Sequence, residues 1–453
     1  MIKDEMTNTI NNNSELLKGR SFSIHIQGCR TNQYEGEAIA AALEGCGAVR
    51  NDEAPEIVVI VSCTITAVAD RKCRKLIRRV RREKPKAVIA ACGCYAQKLT
   101  AEEQKELSLD LVIGNRLKHE LPALLAERLA GGAALSHINP EIRADLSWDI
   151  LTLDRPRLHT RAFLKVQDGC SHYCSYCIVP YVRGLPVSRP VDEAVEEARR
   201  ITDSGCPEIV LTGVHLGLYS ELPQLVRRIG ALPGIRRLRF GSLEPFAVTE
   251  ELLRELADCE AFCRHLHLPL QSGSDRVLEA MHRGYNAQAF ASVAERARRL
   301  LGEELHISTD LMVGFPTEDQ QAFKESLAFV KEQAFGKVHV FPYSPREGTE
   351  AAKLTPLAEQ VLKERTAEAL DSAASLHRAF CSRYIGKSCE LLTESSQNGC
   401  THGLTRNYIK ITAQGTQEIN KEITVIPAQY FKEGLITEAI SANMPDFGDV
   451  SVI

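Results

Sequence analysis

Ten short apolar runs, each trailed by a stretch with helical spacing, limit what this chain can fold into. Four lie within residues 20–140: FSIHIQ (22–27), EIVVIVS (56–62), KAVIAA (86–91) and DLVIG (110–114). β-Branched runs separated by helices predict a mostly parallel, doubly wound sheet, since parallel strands are buried on both faces and need helical crossovers. Six more follow: RAFLKVQ (161–167), EIVLTG (208–213), RLRFGS (237–242), HLHLPL (265–270), HISTDLMVGF (306–315) and KVHVFPY (337–343). Six βα units in succession predict a partial (βα)6 barrel with its chemistry at the carboxyl ends of the strands. The helical pattern NAQAFASVAERARRLLG closes on a glycine stop signal. A stretch around Gly131 to Pro156 reads as a linker with a strand or two. A long helical pattern (356–384) leads to Gly386, after which short alternating runs broken by Gly and Asn predict a small antiparallel β-barrel of about 60 residues. The expected fold class is thus α/β with a terminal β-barrel, divided as a disordered lead (1–18), a first domain (20–140), a barrel with its trailing helix (156–382) and a terminal domain (383–445).

Bulk properties narrow the setting. The chain has 453 residues, 44% hydrophobic and 25% charged, with a formal net charge of -4 and a mean hydropathy of -0.17. Any affinity for nucleic acid must therefore come from local charge. The 15 cysteines, many in or beside apolar runs, suit a reducing cytoplasm with metal-binding thiolates better than a disulfide framework. No apolar run reaches the roughly 20 residues a membrane helix needs, and the polar opening MIKDEMTNTINNNSELLKGR has no signal-peptide core.

The segment DGCSHYCSYCIVPYVRG sets Cys170, Cys174 and Cys177 in a C-x-x-x-C-x-x-C pattern directly after the first barrel strand. A loop there can fold three thiolates around one iron–sulfur cluster. Three ligands for a four-iron cube leave one iron open to a substrate or cofactor. The competing reading is a structural zinc site with His172 as fourth ligand, but such sites usually use C-x-x-C pairs. A second set lies at strand ends of the first domain: Cys29 after FSIHIQG, Cys63 after EIVVIVS and Cys94 after KAVIAACG. Carboxyl ends of neighbouring parallel strands share one crevice, so three thiols there could ligate a second cluster. Buried inert cysteine is the ordinary alternative, and Cys92 rivals Cys94 on spacing alone.

The C-x-x-x-C-x-x-C loop resembles the radical S-adenosylmethionine superfamily. That resemblance implies a cofactor held at the open iron and cleaved to a deoxyadenosyl radical. It places Tyr176 near the adenine, and Gly213, Glu244, Gln271 and Asp310, polar or small positions at strand ends, at the cofactor's ribose and methionine. With both triplets, the resemblance narrows to the methylthiotransferases over nearly the whole chain. GCRTNQYEGE, SCTIT and GCYAQ resemble that family's first-domain motifs and select Cys94 over Cys92, although the usual Asn two before the middle cysteine is Val61 here. HLHLPLQSGSDRVLEAMHRGY, DLMVGFPTE and HVFPYSPREGTEAA resemble its radical domain, and the last segment its RNA-binding TRAM barrel. VQDGC, GCRTNQYE and HVFPYS most resemble the branch acting on threonylcarbamoyladenosine in tRNA.

The implied cofactors are two 4Fe–4S clusters and S-adenosylmethionine. The implied partners are the anticodon stem-loop of tRNA and an electron donor such as flavodoxin or ferredoxin, with no membrane. The implied reaction converts N6-threonylcarbamoyladenosine at position 37 to its 2-methylthio derivative. Isopentenyladenosine in tRNA, a ribosomal-protein aspartate, or no catalysis in a zinc-stabilised RNA-binding protein are the alternatives. RKCRKLIRRVRREKPK (71–86) carries ten Lys or Arg against one Glu. Cys73, Leu76, Ile77 and Val80 recur at helical spacing, which predicts an inward apolar face and an outward basic one suited to phosphates. Arg406, Tyr408 and Lys410 in the terminal barrel offer a second RNA-binding surface.

Overall fold

The structure, a computed structural model, describes residues 15–437. Most of the expected disordered lead, and the end of the terminal domain, lie outside the described residues. The lead ends earlier than expected, because Leu17 is fully buried and its carbonyl accepts from the Arg20 amide at 3.0 Å.

The first sheet is parallel throughout, with strands β1 (Ser21–Ile26), β2 (Val49–Arg50), β3 (Ile57–Ser62), β4 (Val88–Gly93), β5 (Leu111–Ile113) and β6 (Leu135–His137) in the order β2-β1-β3-β4-β5-β6. Every residue of β3 is buried, as expected of a central strand covered on both faces. One face carries Val58 and Ile60 against Cys73, Leu76, Ile77 and Val80 of the helix Ala67–Glu83. Those four are the positions the periodicity turned inward, and burying each aliphatic one is worth about 1.5–3 kcal/mol. Thr66 caps this helix by accepting from the Ala69 amide, Asp70 lies in its first turn, and Arg81 and Arg82 in its last. That charge order suits the helix dipole.

The next strands are β7 (Ala162–Asp168), β8 (Val187–Ser188), β9 (Glu208–Gly213), β10 (Arg237–Phe240), β11 (His265–His267), β12 (His306–Val313) and β13 (Lys337–Pro342). They form sheets ordered β10-β9-β7-β8 and β11-β12-β13. Parallel bridges Leu238–Phe262 and Ser242–His267 carry the succession from β10 to β11, so the six long strands run in chain order, as a (βα)6 barrel requires. The intervening helix Ala287–Leu301 is capped by Asn286 and stopped by Gly302, whose φ is +88°. No helix among the described residues is long and apolar enough to cross a membrane.

By internal packing the chain divides into two compact units. Of the described residues, those up to 205, 210–221 and 344–354 form the first; 206–209, 222–343 and 355–437 form the second.

Within the second unit, the terminal strands are β14 (Cys389–Gln397), β15 (Cys400–Thr405), β16 (Lys410–Gln414), β17 (Glu422–Val425), β18 (Gln429–Phe431) and β19 (Gly434–Ile436). Their order is β17-β14-β15-β16-β19-β18, antiparallel except for the β16–β19 pair. The RLRF strand fastens this sheet. Arg237 donates to Glu422 at 2.6 Å and to the Leu404 carbonyl at 2.8 Å. Arg239 donates to Glu208 at 2.9 Å and to the carbonyls of Thr405 and Arg406 at 2.7 and 2.8 Å. The expectation that Arg406 and Tyr408 form an RNA-facing surface is corrected here. Arg406 donates to the Arg236 carbonyl at 3.1 Å, and Tyr408 stacks on His265 with ring centroids 4.6 Å apart. Both side chains are occupied in holding the sheet in place.

His306 accepts burial without charge. Its Nδ1 lies 2.8 Å from the Asn407 carbonyl, and burial pulls the imidazole down to about 3 from its ordinary 6.5. The unfolded chain takes up this proton near pH 6.5, whereas the folded chain refuses it until about pH 3. The stability conferred by the neutral ring is therefore complete above pH 6.5 and lost as pH falls toward 3. Wild type is expected to lose about 2–3 kcal/mol more than His306→Gln between pH 7 and about pH 4.5 in denaturant titrations. Parallel losses in both proteins would place water at the ring.

Candidate functional site

The loop after β7 is held tightly in the first unit. Gly169 has φ +74°, and a Cβ there would lie 2.0 Å from the Leu185 carbonyl oxygen, so only glycine fits. The Cys170 amide donates to the Gly184 carbonyl at 3.0 Å, and the Cys177 amide to the Cys174 carbonyl at 2.9 Å. The His172 amide donates to the Cys170 sulfur at 3.5 Å. Cys170 is buried, while Cys174 and Cys177 are half-buried, so the loop presents thiols toward accessible space. Tyr176, between the last two, is half-buried. His215, just past β9, stacks on His172 with centroids 4.8 Å apart, which sets the end of β9 beside the loop. Gly213 lies there against Gln167; a Cβ would meet that side chain at 2.9 Å.

Cys29, Cys63 and Cys94 also converge. Cys29 is the N-cap of helix Arg30–Gly45, Cys63 follows β3, and Cys94 opens the short helix Cys94–Gln97 after β4. A Cβ on Gly28 would lie 2.9 Å from the Cys63 Cβ, so the approach of the two chain segments depends on that glycine, whose φ is +135°. Burial pushes the Cys63 thiol up to about 12, and charge on Cys94 and Cys29 pushes the same way. Burial likewise raises Cys94, with Arg183 opposing it. Holding Cys63 and Cys94 as thiolates therefore calls for a positive centre beside them, which is what an iron–sulfur core provides. Cys92, the rival by spacing, is fully buried in β4.

The first unit also buries charges that sequence reasoning missed. Lys165 donates to Glu35 at 2.8 Å and to Asp168 at 2.6 Å. Lys118 lies 3.3 Å from both Glu35 and Asp149. Arg183 donates to Glu35, to Asp168 at 3.1 Å, to Asn32 at 2.9 Å and to the Cys94 sulfur at 3.0 Å. Three cations thus face three carboxylates, all nearly inaccessible to water. A lysine within the apolar run RAFLKVQ was the available signal.

In the second unit, Glu244, Gln271 and Asp310 lie together. Asp310 sits 3.2 Å from His267 Nε2, and its backbone carbonyl accepts from the Gln271 amide at 2.9 Å. Arg283 donates to Glu244. Burial raises the Glu244 carboxyl, Arg283 opposes this, and Asp310 adds to the rise. Gln271 has φ +70°, and its buried Oε1 has no hydrogen-bond partner. An orphaned buried carbonyl oxygen with strained backbone suits a ligand-binding position.

Among the described residues, no three His, Cys, Asp or Glu side chains are arranged to hold a single metal ion. A four-iron cube instead needs sulfurs spread around a larger body, and two sets of three thiols fit that demand better than a mononuclear zinc site does.

Two family models match the chain: the Radical SAM superfamily over residues 164–330 and the Uncharacterized protein family UPF0004 over residues 21–114. A Bacillus subtilis (strain 168) protein named Threonylcarbamoyladenosine tRNA methylthiotransferase MtaB is 33% identical over 450 residues, covering 94% of this chain and 98% of its own length. The chain belongs to the radical S-adenosylmethionine methylthiotransferases. A tRNA-2-methylthio-N(6)-dimethylallyladenosine synthase from Pelotomaculum thermopropionicum is 30% identical over 443 residues, covering 94% of this chain and 98% of its own. Among solved structures, the radical S-adenosylmethionine methyltransferase TsrM from Kitasatospora setae shares the fold, with a TM-score of 0.57 at 15% identity over 74% of this chain and 77% of that one. As a radical S-adenosylmethionine methylthiotransferase, the protein is an enzyme using a 4Fe–4S cluster and S-adenosylmethionine.

Proposed function

We propose that this methylthiotransferase acts on tRNA, converting N6-threonylcarbamoyladenosine at position 37, next to the anticodon, to its 2-methylthio derivative. The observation that carries the chemistry is the presence of two three-thiol sets in one unit, one on the loop after β7 and one at the strand ends of the first sheet. When bound, two 4Fe–4S clusters and S-adenosylmethionine would supply a carbon-centred radical, a sulfur and a methyl group, chemistry that no acid–base side chain can perform on an unactivated carbon–hydrogen bond. Cys170, Cys174 and Cys177 hold one cluster; Cys29, Cys63 and Cys94 hold the other. Tyr176, Gly213, Glu244, Gln271 and Asp310 are the residues we assign to S-adenosylmethionine. Flavodoxin or ferredoxin supplies electrons, and the reaction is cytoplasmic. The small terminal sheet serves as a TRAM-like RNA-binding domain, through a face other than Arg406 and Tyr408.

The threonylcarbamoyl branch is supported by the Bacillus subtilis relative and by GCRTNQYE, VQDGC and HVFPYS in this chain. Relatives named for dimethylallyladenosine reach similar identity, so that nucleoside is the second reading. Nucleosides digested from tRNA of a deletion strain separate the two. Loss of the methylthio-threonylcarbamoyl form, restored by the gene, is the expected result; loss of the methylthio-isopentenyl form would move the substrate to the second reading.

The basic helix is the RNA's phosphate-contact surface. Arg78 pairs with Glu106 and Arg81 with Asp110. Arg71, Lys72, Lys75 and Arg79 are exposed and have no ion-pair partner among the described residues. Four phosphate contacts would contribute a salt slope of about three to four. Replacing all four by Glu is expected to weaken anticodon stem-loop binding at least tenfold and to flatten its salt dependence by about that slope, read by fluorescence anisotropy. An unchanged slope would place the RNA elsewhere.

A further inference from the structure

Arg183 lies six residues beyond Cys177, at the end of the short helix Val179–Arg183, yet its side chain reaches the other set of thiols. The guanidinium is fully buried. Nε donates to the Cys94 sulfur at 3.0 Å. One terminal nitrogen donates to Glu35 at 2.9 Å and Asp168 at 3.1 Å; the other donates to Asn32 at 2.9 Å and Glu35 at 3.1 Å. All five N–H donors of the side chain are thereby used, and the planar fork has one orientation left to it.

Asn32 extends this grip. Its Nδ2 donates to the carbonyls of Gln27, at 3.0 Å, and Ser62, at 2.8 Å. These residues lie two before Cys29 and immediately before Cys63. Its Oδ1, the atom that accepts from Arg183, lies 3.6 Å from the Cys29 sulfur. Arg183 and Asn32 thus touch the chain at all three cysteines. Glu35 and Asp168 exceed what charge balance at Arg183 needs, and Lys165 and Lys118 neutralise the remainder. The arginine is held as a cation whose free function is the bond to sulfur.

We propose that Arg183 is a positioning residue that fixes the Cys94 sulfur and, through its charged N–H···S bond, raises the reduction potential of the cluster held by Cys29, Cys63 and Cys94. The inference rests on the two-cluster reading given above. A hydrogen bond to a ligand sulfur stabilises the more negative, reduced form of a cluster, and such outer contacts set cluster potential. Lysine keeps the charge but has neither the fork nor the Nε–H that reaches the sulfur.

The test uses the full-length Cys170/Cys174/Cys177 triple alanine protein, in which only the strand-end site can bind iron, reconstituted anaerobically and titrated by EPR-monitored potentiometry. Arg183→Gln is expected to keep about four irons per chain and to shift the potential to a more negative value, with Arg183→Lys falling between. Because Arg183→Gln leaves Glu35 short of a partner, Glu35→Gln/Arg183→Gln is measured beside it, and the same negative shift is expected. Iron retained with an unmoved potential in the double variant would overturn the role of Arg183 while leaving two clusters standing. No iron in the triple alanine parent would overturn both.

Discussion

Replacing Cys170, Cys174 and Cys177 together by alanine is expected to abolish reductive cleavage of S-adenosylmethionine and to lower iron from about eight to about four atoms per chain. The loop's three thiols come from eight consecutive residues, and its backbone is pinned by the bonds from Cys170 to Gly184 and from Cys177 to Cys174. Alanine keeps those backbone bonds, because none of them uses a side chain. Two of the three cysteines are only half-buried, so truncation leaves little cavity and the fold should persist. The measurement is iron and acid-labile sulfide after anaerobic reconstitution, with cofactor cleavage under dithionite followed by chromatography. A fall from about four irons to none would remove the second cluster, leaving sulfur insertion without a source in this chain.

Glu35→Ala is expected to destabilise the protein by about 3–5 kcal/mol, the usual consequence of removing one member of a buried ionic network. Glu35 is fully buried and accepts from Arg183 and Lys165, with Lys118 3.3 Å away. Its loss leaves three buried cations to share Asp168 and Asp149. Burial alone would raise the Glu35 carboxyl, but Arg183, Lys118 and Lys165 outweigh it and hold the group well below the usual carboxylate range. The associated stability is complete above the ordinary carboxylate value and is lost as pH falls through the lower folded one. The variant should therefore show a flatter acid limb as well as a lower denaturant midpoint. A difference under about 1 kcal/mol would place water inside the network.

Much of this architecture is legible in the residues themselves. IVVIVS reads as a central parallel strand because both its faces are covered, leaving no polar alternation to confuse it. The edge strands Val49–Arg50 and Leu135–His137 are short and partly exposed, and carry no comparable signal. The convergence of Cys29, Cys63 and Cys94 follows from topology, since β1, β3 and β4 are neighbours whose carboxyl ends meet. The Arg183–Glu35–Lys165 network was not legible as a network, because Glu35 stands more than a hundred residues from both cations and only Lys165, inside an apolar run, departs from the look of surface charge. Arg406 and Tyr408 misled for a related reason: a basic and aromatic pair in the turn between β15 and β16 has one appearance whether it meets RNA or a neighbouring segment of its own chain.

The two sets of thiols differ in what must exist before they meet. The loop set is local, and closing so short a segment costs little chain entropy. The strand-end set exists only after β1, β3 and β4 have paired in register across 65 residues of chain, which makes it a late product of folding. Biogenesis acquires a direction from this. A chain whose first sheet has opened offers a metal carrier the loop alone, whereas the strand-end thiols become a destination only on a finished first sheet. Damage runs the same way, since repair at the loop leaves the sheet intact, while any opening of β3 disperses the other three sulfurs.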